Sequence, residues 1–326
     1  MKIRARTAPV STEEEREHQR HNISIQRDRY ISTDVLKKVA VDTGYAEKVA
    51  LIEDALRGIR GWVLDIGSNT CGEAEVLSTR GYSIVAMDIN EVALAISKER
   101  VKRFGRSGPE YVAGDTQSIP LQDGTISAVI CFEALHHLPE PRRALAEVQR
   151  VLMPGGFVFF YEPYSYNPYR RLSEIRDRLR GTVEKSFGQN ELRRLFAVSG
   201  FDLSYLERKV LPPSEWKRTT VGQVWWALRG LYHRAGRIAP QIFGNLTGVA
   251  TKPGQKVVPK EKRPLNTMFR CPVSGAKVIS VRAGFLSTDP QTRLLYPSHE
   301  GIPVLVSDEG VALSVGHWRE AQEEVS

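Results

Sequence analysis

From residue 46 onward, the apolar positions of the chain switch between two periods. Val49, Ile52, Ala55, Leu56 and Ile59 recur at helical spacing across Ala46–Ile59, and Gly61 is a natural stop. Short apolar runs then follow at Trp62–Ile66, Ser83–Met87, Tyr111–Ala113, Ala128–Phe132 and Gly156–Tyr161. Between them lie helix-like segments at Glu73–Thr79, Asn90–Phe104 and Pro141–Leu152. This alternation predicts an α/β, doubly wound, mainly parallel Rossmann-like sheet with its ligand at the carboxyl ends of the strands. A further helix at Gln189–Val198 stops at Gly200, and Phe201–Leu206 reads as a returning strand.

The flanks break the rhythm. Residues 1–45 form a polar, partly helical lead-in to the domain at 46–210. Residues 211–250 mix Trp216, Trp225, Trp226 and Leu231 with Lys217, Arg218, Arg229, Arg234 and Arg237, and read as inserted helices. Residues 251–264, with three prolines and four lysines, have the composition of a linker. Short apolar runs divided by turn residues at Lys277–Val281, Thr292–Tyr296 and Ile302–Val306 predict a small β-rich module over 265–315, followed by a polar tail at 316–326.

Composition narrows the class. The 326 residues exceed one typical domain. No run approaches the length of a membrane-spanning helix, and no apolar run follows the basic N-terminus, so a cytoplasmic enzyme is expected. Cys71, Cys131 and Cys271 are too scattered for a metal site or a disulfide framework, and read as small buried hydrophobes. The net charge of +8 is regional: residues 165–264 hold 20 Lys and Arg against 8 Asp and Glu, whereas the rest holds 26 against 30. The basic segment has three readings: a nucleic-acid surface, a peripheral membrane helix, or a solvated face over a substrate-covering lid.

The chemistry concentrates at the strand ends. In Val63–Gly72 a carboxylate, Asp65, precedes a turn holding Gly67 and Gly72. A dinucleotide fingerprint would have tighter glycine spacing and a pyrophosphate, which Asp65 would repel. An ammonium group would instead be attracted, and S-adenosylmethionine (SAM) carries one on its methionine end. Asp88 follows the second strand, where it can accept both hydroxyls of a ribose. Asp115 follows the third, able to accept from an adenine amine while Ile89 packs on the ring. Three acids at successive strand ends point to a nucleoside site.

These motifs, together with Ala128–Leu138 and its Leu135-His136-His137-Leu138 run, and with Arg150-Val151-Leu152-Met153-Pro154-Gly155-Gly156, resemble the type 11 branch of the class I SAM-dependent methyltransferases over about residues 45–205. The resemblance implies that Asp65 and Gly67 hold the methionine moiety, Asp88 the ribose, and Asp115 with Thr116 the adenine, while Glu133 faces the substrate entrance. Asn69 and Gly72 complete the cofactor turn. Asn69 and Cys71 replace usual glycines: Asn69 tolerates a left-handed backbone, whereas Cys71 is expected to narrow the pocket. Ser127 replaces a usual aspartate. His137, or else His136, is the candidate base, with a structural role as the alternative; Tyr161, Glu162 and Tyr164 are placed to touch the acceptor.

Met268–Ser274 and Leu295–Leu305 resemble the small zinc-ribbon-like activator subunit of tRNA, ribosomal RNA and release-factor methyltransferases. Ser274 stands where that family has a second cysteine, so a metal-free ribbon is expected, docked intramolecularly on the catalytic domain and stabilising it. The preferred expectation is an enzyme methylating a small molecule, lipid or glycan precursor. An RNA or protein methyltransferase with a built-in activator, and a non-catalytic SAM-binding regulator, are the alternatives.

Overall fold

The structure, a computed structural model, describes residues 12–166, 186–211, 244–259 and 261–323, with isolated positions between 231 and 239. Trp216, Trp225, Trp226 and the segment from Asn167 to Arg171 lie outside the described residues, as does most of the basic segment.

Four helices lead in: α1 (Thr12–Ile25), α2 (Arg27–Ser32), α3 (Val35–Val41) and α4 (Thr43–Ala55). Asp34 and Asp42 cap α3 and α4 by accepting from backbone N–H groups of the first turns. The alternating region follows as β1 (Trp62–Ile66), α5 (Gly72–Thr79), β2 (Ser83–Asp88), α6 (Glu91–Arg103), β3 (Glu110–Ala113), β4 (Ile126–Phe132), α7 (Pro141–Val151), β5 (Leu152–Glu162), α8 (Gln189–Val198) and β6 (Asp202–Lys209). A single 3₁₀ turn at Leu135–His137 joins β4 to α7.

One seven-stranded sheet has the order β3-β2-β1-β4-β5-β7-β6. Strands β1 to β5 are parallel, and β7 (Asn245–Thr251) inserts antiparallel between β5 and β6. The domain boundary expected at 210 therefore cuts the sheet. Residues 245–251, read as part of the basic segment, return to it because a seat between β5 and β6 pairs both edges of the strand. Strand β1 is buried along its whole length, as the centre of a two-sided sheet requires.

The presumed linker is laid along the sheet's amino-end side. Lys252 N–H donates to Gly156 O (2.8 Å), and the Trp62 indole N–H donates to Arg263 O (2.8 Å). Pro154, Gly155 and Gly156 lie within β5 rather than in a separate turn.

The C-terminal part forms β8 (Val278–Val281), β9 (Gly284–Ser287), β10 (Leu294–Tyr296), β11 (Ser298–His299), β12 (Ile302–Pro303) and β13 (Val311–Ala312). A four-stranded antiparallel sheet (β13-β10-β9-β8) lies beside the β11–β12 pair. The tail begins as helix α9 (Val315–Glu323), in which Trp318 buries its ring and donates its indole N–H to Ser287 O (2.9 Å). At the seam with the main sheet, Leu305 N–H donates to Ala113 O (2.9 Å) beside an Ala113–Val304 parallel bridge, and a Leu121–Phe269 bridge lies nearby. Leu265, Met268, Phe269 and Leu305 share one apolar core with Val112, Ile119 and Leu121.

Candidate functional site

The carboxyl ends of β1, β2 and β3 lie side by side, so Asp65, Asp88 and Asp115 share one sheet edge. Between β1 and α5 the chain turns through Gly67, Asn69 and Cys71, all with positive φ (67°, 49° and 51°). A Cβ at Gly67 would come within 2.9 Å of the Ala134 Cβ, so this turn approaches the loop after β4 only with bare backbone. Arg100 holds the turn from beneath. Fully buried, it pairs with Glu75 (2.7 Å) and donates to Thr70 O (2.7 Å). Cys71 faces the core and is fully buried, with its thiol against Asn69 O, so it does not narrow the cleft.

Asp65 is 7% exposed and accepts a 2.5 Å hydrogen bond from the Ser68 hydroxyl. Burial raises its carboxyl to about 7; Ser68 and Lys48 oppose the rise, while Glu73 and Asp88 add to it. Asp88 accepts from Asn69 N–H (2.8 Å) with one oxygen and from Asn90 N–H (2.9 Å) with the other, which orients the carboxylate and leaves each oxygen a second lone pair. Burial raises Asp88 as well, against those backbone bonds. Ile89 is half-buried against the core behind it. One Asp115 oxygen caps its own turn through Gln117 N–H (2.8 Å), and Thr116 is buried beside it.

Across the cleft, Glu133 is exposed at the end of β4 with φ 53°. His136 and His137 separate sharply. The His136 ring is buried and its Nδ1 lies 2.8 Å from Glu162 Oε2. His137 is exposed, with its ring centroid 4.0 Å from that of His136. Glu162, expected to touch the acceptor, is instead fully buried: it accepts from the backbone N–H groups of Ala134, Leu135 and His136 and so fixes the whole turn. Tyr161 stacks on Phe132 (4.6 Å, 9°), and Tyr164 is buried. The structure also brings Tyr45 and Lys48 of α4 to the cofactor turn, both missed in the sequence. Their only sequence signal is a spacing of three on one helix.

SAM fits this donor set. A carboxylate that burial raises to about 7 gains most from an incoming cation, so Asp65 could accept the methionine ammonium. Asp88 is fixed by its backbone bonds in a position to accept ribose hydroxyls.

Residues 64–160 match the family described as a methyltransferase domain. The chain is 32% identical over 123 residues to a demethylmenaquinone methyltransferase of Renibacterium salmoninarum, covering 37% of this chain and 50% of that protein. It is 31% identical over 133 residues to a phthiotriol/phenolphthiotriol dimycocerosates methyltransferase of Mycobacterium tuberculosis, covering 40% and 47%. The chain thus spans about half the length of these curated relatives. Among solved structures, magnesium protoporphyrin IX methyltransferase from Synechocystis PCC 6803 with bound SAH superposes with a TM-score of 0.51 at 14% identity, covering 74% of this chain and all of that one. The [4+2]-cyclase SpnF gives a TM-score of 0.51 at 18% identity, covering 73% and 97%.

The residues matched to the methyltransferase-domain family, 64–160, are the ones that build most of β1, all of β2 to β4 and most of β5, with Asp65, Asp88 and Asp115 at the ends of the first three. Among the described residues no helix is long and apolar enough to cross a membrane.

Proposed function

We propose that the chain transfers a methyl group from SAM to a small-molecule or lipid acceptor. The under-satisfied Asp65 carboxylate, on a sheet edge shared with Asp88 and Asp115, is the observation that carries the cofactor half of this reading. For the acceptor, support comes from relatives named for demethylmenaquinone and for phthiotriol/phenolphthiotriol dimycocerosates. SpnF shows why fold alone is insufficient, since the same architecture carries a cyclase.

When bound, SAM supplies an electrophilic methyl on a sulfonium that leaves neutral. Asp65 takes the ammonium, Asp88 the ribose hydroxyls, and Asp115 with Thr116 the adenine edge, so the protein's main contribution is alignment. Glu133 borders the entrance. His137, exposed beside the cleft, accepts the proton of a hydroxyl acceptor as the new bond forms. His136 is a positioning residue, held by Glu162 with its ring tilted at 38° against that of His137. Transfer of labelled methyl from SAM into fractionated cell extract tests the reading. Label in the lipid or small-molecule fraction is expected; label in RNA or protein would overturn the acceptor class. Binding of S-adenosylhomocysteine without turnover in any fraction would favour a regulator.

The C-terminal module supports an additional role within the same chain. Its Leu305 backbone bond to Ala113 and its shared apolar core cap the β3 edge, while Ser118, three residues past Asp115, donates to Pro272 O (2.8 Å). The module is proposed to stabilise the catalytic domain from within. Leu305→Pro in the full chain is expected to lower both the melting temperature and the affinity for S-adenosylhomocysteine; no change in either would remove this role.

A further inference from the structure

Tyr45 and Lys48 lie three residues apart on α4, on one helix face. Tyr45 is 6% exposed, and its hydroxyl has no hydrogen-bond partner among the described residues. A Cβ at Gly72 would meet that hydroxyl oxygen at 2.7 Å, so the oxygen is seated against the first residue of α5. This close approach accounts for the late second glycine of the cofactor turn. A buried hydroxyl without a partner is costly, and a ligand can remove that cost by supplying the acceptor.

Lys48 Nζ lies 2.9 Å from Glu73 Oε1 and 4.1 Å above the Phe132 ring at the end of β4. Burial alone would depress this ammonium, but the fields of Glu73, Glu133 and Asp65 outweigh it and hold it above its ordinary range. Lys48 is therefore held as a cation whose field acts on Asp65.

The methionine end of SAM is a zwitterion, its carboxylate on the same carbon as its ammonium. Once Asp65 takes the ammonium, the ligand carboxylate is forced close to Asp65, Glu73 and Glu133. Only a cation and hydrogen-bond donors facing it can offset that repulsion. The amino end of α5 contributes a favourable dipole but no charge. We infer that Tyr45 and Lys48 hold the α-carboxylate of SAM, Tyr45 by donating its hydroxyl proton and Lys48 by turning its ammonium from Glu73 to the ligand. This inference rests on the SAM reading of the cleft. It makes the N-terminal helices part of the cofactor site.

Calorimetric titration with two ligands tests it without measuring turnover. S-adenosylhomocysteine carries the amino-acid end; 5′-methylthioadenosine shares the adenosine and thioether but lacks it. Lys48→Met and Tyr45→Phe are each expected to weaken S-adenosylhomocysteine about tenfold or more and leave methylthioadenosine within about twofold of wild type. An equal loss on both ligands, or no loss on S-adenosylhomocysteine, would overturn the inference. Tyr45→Phe guards against a folding artefact, since it deletes only an unpaired hydroxyl and is expected to unfold at the same or higher denaturant. A wild type that binds neither ligand would instead overturn the SAM reading, and this inference with it.

Discussion

Asp65 and Glu162 are two buried carboxylates at the ends of strands β1 and β5, and their surroundings are opposite. Glu162 is fully buried yet accepts from three backbone N–H groups and lies 2.8 Å from the His136 ring nitrogen. Asp65, almost as buried, accepts from the Ser68 hydroxyl, and burial pushes it up to about 7. A carboxylate whose lone pairs are filled by the protein builds structure; one left short of donors is poised for a ligand. Burial alone therefore does not separate a structural acid from a functional one. Donor supply does.

The contrast breaks most sharply at Glu162. Glu162→Ala strands three backbone N–H groups in the core and is expected to cost about 3–5 kcal/mol, read from urea unfolding. A loss under about 1 kcal/mol would mean that the turn after β4 holds itself without the carboxylate.

The two histidines come next. His137→Ala should leave the unfolding midpoint and S-adenosylhomocysteine affinity near wild type and lower kcat about a hundredfold on a hydroxyl acceptor. His136→Ala should lower the midpoint as well. Equal effects in both would erase the division between positioning and chemistry.

At Asp65 the expected signs reverse. Asp65→Asn removes a charge that is costly to bury, so stability at neutral pH should hold or rise while S-adenosylhomocysteine affinity falls about tenfold to a hundredfold. A large stability loss would place Asp65 with Glu162 after all.

The contrast also carries a pH signature. The folded-state carboxyl of Asp65 lies near 7, above its unfolded value, so the folded protein binds more protons between about pH 4 and pH 7. Stability of the ligand-free wild type relative to Asp65→Asn should therefore fall as pH rises through that window, with a slope of at most about 1.4 kcal/mol per pH unit. A rising or flat difference would show that Asp65 is not held protonated by burial.

Much of this was legible in the chain. Trp62–Ile66 and Gln189–Val198 have the bounds their apolar periods imply, and the acids at the ends of the first strands fall on one edge. Strand β7 was not legible: Asn245-Leu246-Thr247-Gly248-Val249-Ala250-Thr251 is a weak strand pattern, and it forms by pairing with β5 on one side and β6 on the other. Glu162 stood at a strand end like the others, but nothing local shows that three N–H groups would converge on it. Tyr45 was invisible for a related reason: its hydroxyl matters because α4 packs against Gly72, almost thirty residues away in the chain.

The order of apolar and polar residues by itself determined the alternating α/β class, the carboxylates at the ends of β1 to β3, and the glycine-bearing turn. Periodicity and turn chemistry are local and survive without tertiary contacts. The tertiary structure alone decided which acids are satisfied, that His136 turns inward while His137 stays exposed, that residues 245–251 complete the sheet, and that α4 borders the cofactor turn. Hydrogen-bond supply and desolvation depend on what the rest of the chain brings within reach, and a linear pattern does not contain that information.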